Sequence, residues 1–558
     1  MNGEQALFQG AVQAGVRVAA GYPGSPSTAV LTQLLRVAKE RGIYAEWSIN
    51  EKAALELCWG AAASGLRALF CAKGVGLNVA LDTLMAVNLL GTRAGLTLLI
   101  GDDPSAYKSQ NEQDSRTLAL FAELPALEPT RIQDASAMMR HAFDLSERLE
   151  LPIVLRETRS FAFTDDGRPA PDLTLKTDAP ISSPSPVDIT LDRQERRWIA
   201  TTSNVVGRRR ALHAKLETAV EEFERSPFNR LTLPEGARVG ILSAGFAASK
   251  LDAVLERIEC QEPIARLDLG TLHPLPAELT ARFLEQCERV LTLEETDPII
   301  ETQAKALAHE RGISAVVVGR RTASGGGFFP REGELLAPQI AKGIAAFLGV
   351  DAPPASAFTR FNAPPLSASS LVPPVSAGLC EGCPYDPTFR ALRAVLEERG
   401  EKGVVLADPG CAVRVMLPPL ETLDVKTAMG ACIGIACGIA HSNPHTRVIA
   451  CPGDSGFFHT GLPAAANAAY NRAPIVILVL DNMTTALSGC QPSPTTGVTG
   501  MGERVKPLLP EDFAPALQIG LTRVFDPNNM EAAKEAFRAA FSHNDLSLLV
   551  SRSPCVLI

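Results

Sequence analysis

No stretch of this 558-residue sequence is apolar for long enough to cross a membrane, and no excess of positive charge runs along it. The formal net charge is -9, so the electrostatic footprint of a nucleic-acid binder is missing. The opening residues, MNGEQALFQGAVQAGVRVAAGYPG, hold no basic region ahead of an apolar core. That removes the signature of a secretory signal and leaves the cytoplasm as the expected location. The twelve cysteines are scattered rather than gathered into a small disulfide framework, which points to thiols, packing or metal ligation. What is present is ordinary: 46% hydrophobic and 21% charged residues. The length exceeds a single core and predicts about three or four domains.

The most informative stretch is GDSGFFHTGLPAAANAAYNRAPIVILVLDNMTT, from Gly453 to Thr485, preceded by TRVIAC. Two Val- and Ile-rich runs around an Ala-rich helical segment predict a strand-helix-strand unit of a buried parallel sheet. Polar groups gather where the strands end: Gly453, Asp454 and Ser455 after the first, Asp481 and Asn482 after the second, with 25 residues between Ser455 and Asp481. Ligands bind at the carboxyl ends of strands in such folds. The Asp454 carboxylate, the Asn482 amide oxygen and the Thr484 carbonyl form a sparse oxygen set suited to Mg²⁺, with phosphates and water completing the octahedron.

Residues 1 to about 165 alternate helix and strand patterns, with a helix over Glu4 to Gly15 and strands at VRVAAG, RALFCAK, LTLLIGD and PIVLRE. This predicts a parallel sheet wrapped by helices. Several loops at its expected strand ends carry candidate residues. Tyr22, Pro23, Ser25 and Thr28 lie in YPGSPST, where Ser27 or Thr28 is suited to cap the next helix. Glu51 opens a helix in AEWSINEKAALEL and is the candidate for sharing a proton with a ring nitrogen, with Glu46 and Glu56 as rivals. Lys73 precedes GVGLN, and the long loop GDDPSAYKSQNEQDSR offers Asn111, Gln113 and Arg116 as substrate contacts or as residues that order the loop.

Pro- and Ser-rich stretches near 165–188 and 351–378 read as linkers. Between them, from about Gly236 to Gly349, strands are expected at ARVGILSAG, RVLTLEET and SAVVVG, without a compact catalytic set. His273 in GTLHPLP reads as turn or packing, and Arg208 to Arg210 as a solvated helix start. The last part begins at Cys380-Glu-Gly-Cys383, continues through Asp408-Pro-Gly-Cys411 and the small-residue helix AMGACIGIACGIA, and reaches Ser553-Pro-Cys555.

As a set, GYPGSPST, EWSINEKAALE, KGVGLN, SQNEQDSR, CEGCP, GDSGFFHTGLP and LDNMTTALSG resemble the alpha subunits of indolepyruvate ferredoxin oxidoreductase. These belong to the wider thiamine diphosphate-dependent 2-oxoacid:ferredoxin oxidoreductases, and the resemblance runs nearly end to end. It implies an α/β fold of three domains, two thiamine diphosphate-binding-type parallel-sheet domains flanking a transketolase C-terminal-like domain. The corresponding limits are 1–165 for the pyrimidine-binding domain, 166–230 for a linker and helical connection, 231–350 for the transketolase-like domain, 351–378 for a Pro-rich linker and 379–558 for the diphosphate-binding domain.

The resemblance implies oxidative decarboxylation of an aryl-2-oxoacid, indolepyruvate-like, to the acyl-CoA. The alternative is a non-oxidative thiamine diphosphate-dependent decarboxylase or carboligase. Implied partners are a smaller beta-type subunit, in a hetero-oligomer such as a dimer of heterodimers, coenzyme A, and ferredoxin or another electron acceptor. Tyr22, Pro23, Glu51, Gly453, Asp454, Ser455, Asn482 and Thr484 fall at cofactor positions, with Mg²⁺ on Asp454, Asn482 and Thr484. Ser25, Thr28, Lys73, Asn111 and Gln113 are assigned to substrate, Glu51 and His459 to catalysis. Cysteines in the order Cys380, Cys383, Cys411 and Cys555 hold one [4Fe-4S] cluster in related enzymes, with Cys490 and Cys451 as rival fourth ligands and zinc as the rival metal.

The sequence departs from the family pattern in four places. Ser455 stands for Gly and Asp481 for Asn in the GDG…NN motif, and Tyr385 stands where His usually follows CxGCP. Family members typically continue into a ferredoxin-like domain with two CxxCxxCxxxCP runs, and this sequence holds none.

Overall fold

The computed structural model describes residues 1–169, 197–199, 201–320, 326–363, 378–426, 428–442 and 445–558. The first expected linker therefore lies outside the described residues beyond 169, and the second from 364 to 377. The chain divides into two compact units, Met1–Ala45 with Glu51–Leu366, and Glu46–Asn50 with Ser367–Ile558.

The described residues up to 363 form β1 (Val18–Gly21), β2 (Tyr44–Trp47), β3 (Ala68–Lys73), β4 (Leu96–Asp102), β5 (Ala126–Leu127), β6 (Ile153–Thr158), β7 (Arg230–Thr232), β8 (Val239–Ala244), β9 (Ile264–Leu269), β10 (Thr271–His273), β11 (Arg289–Leu293) and β12 (Val316–Val318). They form a seven-stranded sheet in the order β10-β5-β6-β4-β3-β1-β2 and a five-stranded sheet in the order β12-β11-β8-β9-β7. β1, β3, β4, β6 and β5 pair in parallel, and only β10 joins that edge antiparallel. β3 and β4 are buried at every position, because helices cover both faces of a doubly wound sheet.

Local chemistry moves some expected boundaries. The first helix runs over Gly3–Gln13 because the Asn2 side chain accepts the Gln5 amide and the Gln5 side chain returns the bond, a reciprocal cap that starts the helix one residue early. Ser27 makes no capping bond at the next helix; its hydroxyl donates instead to the Gly24 carbonyl. β9 is a central strand that apolar runs did not reveal, since Arg266 and Asp268 interrupt it. They pair with each other at 2.7 Å, and Asp268 also accepts from Ser243. His273 sits in β10, and burial holds its imidazole down to about 4, in keeping with a packing role.

Buried cations in this unit are matched by carboxylates, and one of them, Arg116, ties the loop after β4 to Glu294 at the end of β11. Arg156 pairs with Asp102 at 2.6 Å and Glu128 at 2.5 Å, Arg116 with Asp114 at 2.6 Å and Glu294 at 2.7 Å, and Lys250 with Glu295 at 2.8 Å and Glu334 at 3.0 Å. Arg116 is thus a buried cation that orders the loop, the second of the two roles expected for it. The carboxylate-rich loop after β4 is explained the same way: Asp114 accepts the backbone amides of Thr296 and Asp297, and Glu112 that of Gly333.

The second unit carries one six-stranded sheet of β13 (Gly403–Ala407), β14 (Val425–Lys426), β15 (Arg447–Cys451), β16 (Val476–Asp481), β17 (Leu521–Phe525) and β18 (Ser547–Arg552), ordered β14-β13-β15-β16-β18-β17 and parallel throughout. The small-residue helix runs over Ala431–Ser442 and packs on this sheet. The described residues thus form three α/β sheets, mostly parallel, in keeping with the expected fold class. No helix among the described residues is long and apolar enough to cross a membrane.

One carboxyl in the first unit makes stability depend on pH. Glu157 on β6 is fully buried and neither oxygen has a hydrogen-bond partner among the described residues. Burial pushes it up to about 8, and its charge helps to raise neighbouring Glu4, where burial is again the larger cause. The folded chain therefore keeps a proton that the unfolded chain releases. The associated stability is complete below the ordinary glutamate value of about 4.3 and declines until the native carboxyl ionises near pH 8. Glu157→Gln should flatten this decline: its melting temperature should exceed that of the unmodified protein at pH 8.5 by several degrees more than at pH 5, measured by calorimetry.

Candidate functional site

In the second unit, β15 and β16 deliver the polar groups that the sequence placed at their ends. Gly453 bridges to Leu480, and the Leu480 amide donates to the Pro452 carbonyl at 2.9 Å, so the two strand ends lie side by side. Asp454 follows in the first turn of a helix and is 2% exposed; its carboxylate accepts from the hydroxyls of Ser493 (2.7 Å) and Thr495 (2.9 Å). Burial first, and then the charge of Asp481, push it up to about 6 against those hydrogen bonds. After the end of β16, the Asn482 Oδ1 is buried with no hydrogen-bond partner among the described residues. A buried amide oxygen without a donor costs about 1–3 kcal/mol, and a cation is the kind of ligand that satisfies it. Met483 turns the chain at φ 57°, and buried Thr484 donates its hydroxyl to the Gln491 carbonyl. These residues fit a divalent ion: one carboxylate, one unused amide oxygen and a following carbonyl.

The two departures within this motif have physical explanations. Ser455 lies in a helical turn without a positive φ, so nothing there demands glycine. Asp481 is paired with Arg552 at 2.6 Å, and Arg552 grips Glu511 with its other two nitrogens at 2.7 and 2.8 Å. The extra carboxylate is thereby neutralised. The glycine of the motif that the structure does require is Gly456, where a Cβ would lie 2.8 Å from Asp408 Oδ2. Asp408 ends β13 and accepts the amides of Gly430 (2.8 Å) and Cys432 (3.2 Å), at the start of the helix Ala431–Ser442. Burial pushes its carboxyl up to about 6, while nearby His459 acts in the opposite direction. His459 itself is buried in a wide π turn over Phe457–Gly461.

Cys380, Cys383, Cys411 and Cys555 line one small cavity together with Arg414 and Asn482. The end of the chain is tied there by backbone bonds, Ser553 to Asp481 at 3.1 Å and Cys555 to Asn482 at 3.0 Å. Burial pushes the Cys383 thiol up to about 11 and the Cys411 thiol up to about 12, and the neighbouring thiols add to both. The four converge without closing into a ligand set: no group of three or more His, Cys, Asp or Glu among the described residues stands in metal-holding geometry. Of the rivals, Cys490 is near enough to Cys555 to feel its charge, whereas Cys451 is buried in β15. Tyr385 is near enough to the thiols and to Asp454 to feel their charges. Its ring is buried, its hydroxyl donates to the Leu480 carbonyl at 3.4 Å, and after burial the charges that raise it most are Cys411 and Asp454.

The first unit presents a second group at the carboxyl ends of its parallel strands. Glu51 opens the helix Glu51–Ala63 and is 6% exposed. A Cβ on Gly76 would stand 2.2 Å from Glu51 Oε1, so the second glycine of KGVGLN is there to admit this carboxyl. Its rivals are otherwise engaged, Glu46 by the Ser48 hydroxyl at 2.6 Å and exposed Glu56 by Lys52 and Thr83. Tyr22 is buried, and Pro23 and Ser25 are half-buried in the loop after β1. Thr28 holds this loop by accepting the Gly24 amide at 2.7 Å. Lys73 is buried, donating to the Lys108 carbonyl at 2.7 Å. Gln113 exchanges hydrogen bonds with Asn78, while Asn111 is exposed.

Gly76→Ala tests the close approach. The added methyl should displace the Glu51 carboxyl and lower turnover by about 100-fold or more, the range of a lost general acid-base group, while thermal unfolding confirms a folded protein.

Comparison with known proteins gives this arrangement a family. A model described as pyruvate flavodoxin/ferredoxin oxidoreductase, thiamine diP-bdg, matches residues 9–162, and one described as thiamine pyrophosphate enzyme, C-terminal TPP binding domain, matches residues 408–551. The indolepyruvate oxidoreductase subunit IorA of Pyrococcus abyssi is 36% identical over 100% of this chain and 85% of its own length. Its counterpart in Methanothermobacter marburgensis is 34% identical over 100% of this chain and 86% of its own. A solved 2-oxoglutarate:ferredoxin oxidoreductase from Magnetococcus marinus is similar at 18% identity and a TM-score of 0.45, over 57% of this chain and 61% of that one. The chain belongs to the thiamine diphosphate-dependent 2-oxoacid oxidoreductases, in the family of the indolepyruvate oxidoreductase subunit IorA.

Proposed function

We propose that the chain, with a smaller beta-type subunit, oxidatively decarboxylates an indolepyruvate-like aryl-2-oxoacid to its acyl-CoA in the cytoplasm. An iron-sulfur cluster, when bound, would supply single-electron steps toward ferredoxin or another acceptor. The observation that supports this most is the unused Asn482 Oδ1 and the buried Asp454 carboxylate, each following the end of one of two adjacent parallel strands.

Asp454, Asn482 and the Thr484 carbonyl would hold Mg²⁺, and Gly453 and Ser455 would meet the diphosphate. Tyr22, Pro23 and Glu51 would meet the aminopyrimidine. When bound, thiamine diphosphate supplies the nucleophilic carbon that cleaves the bond between keto carbon and carboxylate. Glu51 holds a proton at its carboxyl for exchange with the pyrimidine ring nitrogen. His459, buried just beyond the diphosphate turn, acts as a positioning or acid-base group. Ser25, Thr28, Lys73, Asn111 and Gln113 form the candidate substrate side. Cys380, Cys383, Cys411 and Cys555 would carry one [4Fe-4S] cluster, which supplies single-electron steps. The domain limits that accompany this reading are 1–165, 231–350 and 379–558.

The test is anaerobic assay of the chain with its partner subunit. Indolepyruvate and coenzyme A should reduce a viologen dye and yield acyl-CoA. Aldehyde release without dye reduction would instead establish a non-oxidative decarboxylase. Glu51→Gln should keep thiamine diphosphate binding and lose turnover by about 100-fold or more. Cys555→Ser should lower iron and acid-labile sulfide content, and unchanged content removes Cys555 from the cluster.

A further inference from the structure

At the end of β6 the chain passes from Thr158 straight into a short helix, Arg159–Phe163. Arg159 is 5% exposed, and its guanidinium carbon lies 5.0 Å from the centre of the Tyr107 ring and 5.2 Å from that of Phe163. Two aromatic rings fix the orientation of a planar group that carries its N–H donors around its edge. Lys73 closes β3, separated from β6 in the sheet by β4 alone, and is 9% exposed. Its ammonium donates to the Lys108 carbonyl at 2.7 Å and stands 3.9 Å from Asp103 Oδ2. That Asp103 oxygen already accepts from the Lys108 amide at 2.7 Å and the Ser109 hydroxyl at 2.8 Å.

Two cations are therefore withdrawn from water at the same carboxyl-terminal sheet edge, and the loop after β4 contributes to both surroundings, through Tyr107 to one and through Lys108 to the other. They are close enough to repel. Burial holds the Lys73 ammonium down to about 8; Arg159 and Lys108 lower it further, while Asp103 and Asp102 oppose them. In a low-dielectric setting an arriving anion is attracted by both charges at once. Rings beside a guanidinium hold its plane, and a planar fork matches the two oxygens of a carboxylate.

We propose that Arg159, together with Lys73, receives the carboxylate of the 2-oxoacid and so selects for acids over the corresponding neutral carbonyl compounds. The inference rests on the 2-oxoacid reading above. It adds a substrate residue from a strand end that the sequence motifs do not cover, and it gives the loop after β4 a specific duty: Tyr107 positions the cation.

The test uses the complex with the partner subunit and three variants, Arg159→Met, Arg159→Lys and Lys73→Met. Arg159→Met should raise KM for indolepyruvate tenfold or more with a smaller change in kcat, and leave thiamine diphosphate binding unchanged. Inhibition by indole-3-acetate should weaken by a similar factor, while inhibition by its neutral amide stays the same. Arg159→Lys keeps the charge without the fork and should fall between, and Lys73→Met should also raise KM. An unchanged KM and unchanged acetate inhibition in folded Arg159→Met overturn the proposal even where the unmodified enzyme turns over. If that variant does not fold, the same two constants in Arg159→Lys decide. An unmodified enzyme that consumes no 2-oxoacid overturns the functional reading and this inference together.

Discussion

The hydrogen bond from the Leu480 amide to the Pro452 carbonyl is the last rung between β15 and β16, and the diphosphate-type site hangs from it. Side chains alternate along a strand, so a slip of one residue would carry the groups at the end of β16 to the other face. The register is held from both sides. β15 also pairs with β13 over five residues, and β16 with β18 over six, each strand buried along most of its length. A central parallel sheet with continuous apolar strands has few alternatives to its register, and this rigidity is what lets two short polar turns meet without a large supporting structure.

Burial of charge is the second organising fact. In the first unit, Arg116, Arg156 and Lys250 are wholly buried and each is met by two carboxylates. In the second, Asp481 is held by Arg552, which is held in turn by Glu511. Buried pairs of this kind add little net stability compared with apolar packing, but removing one partner is costly, so they favour one arrangement over others. Where Asp481 is matched in this way, the neighbouring Asn482 keeps a buried side-chain oxygen without a hydrogen-bond partner among the described residues.

Much of this was legible in the sequence because buried parallel strands announce themselves as short apolar runs. VRVAAG, RALFCAK, LTLLIGD and PIVILVL all became strands of the sheets. The pairing of GDS with DN was legible too, since the spacing between them fits one helix and its turns. Less was visible where a residue acts on a distant partner. Arg116 looked like a loop donor and is a buried ion pair with Glu294, 178 positions away. Ser493, Thr495, Asp408 and Arg552 shape the polar turns without belonging to any motif, and only the fold brings them in. Gly76 gives no sign of its partner in the sequence, and only the fold sets the Glu51 carboxyl against it. The strand β9 escaped because its two charges satisfy one another locally, a pairing that hydrophobic patterning does not register.

The wide turn over Phe457–Gly461 lets a single helical path answer two demands. Its beginning must present Asp454 to the hydroxyls of Ser493 and Thr495, and its end must bury Ala465 and Ala468 in the core. Ordinary α winding advances each residue by roughly 100°, so a surplus residue changes the phase of everything downstream. The surplus works as a mechanical offset: polar lead and apolar tail are each aimed correctly, with no break in the helix and no added loop.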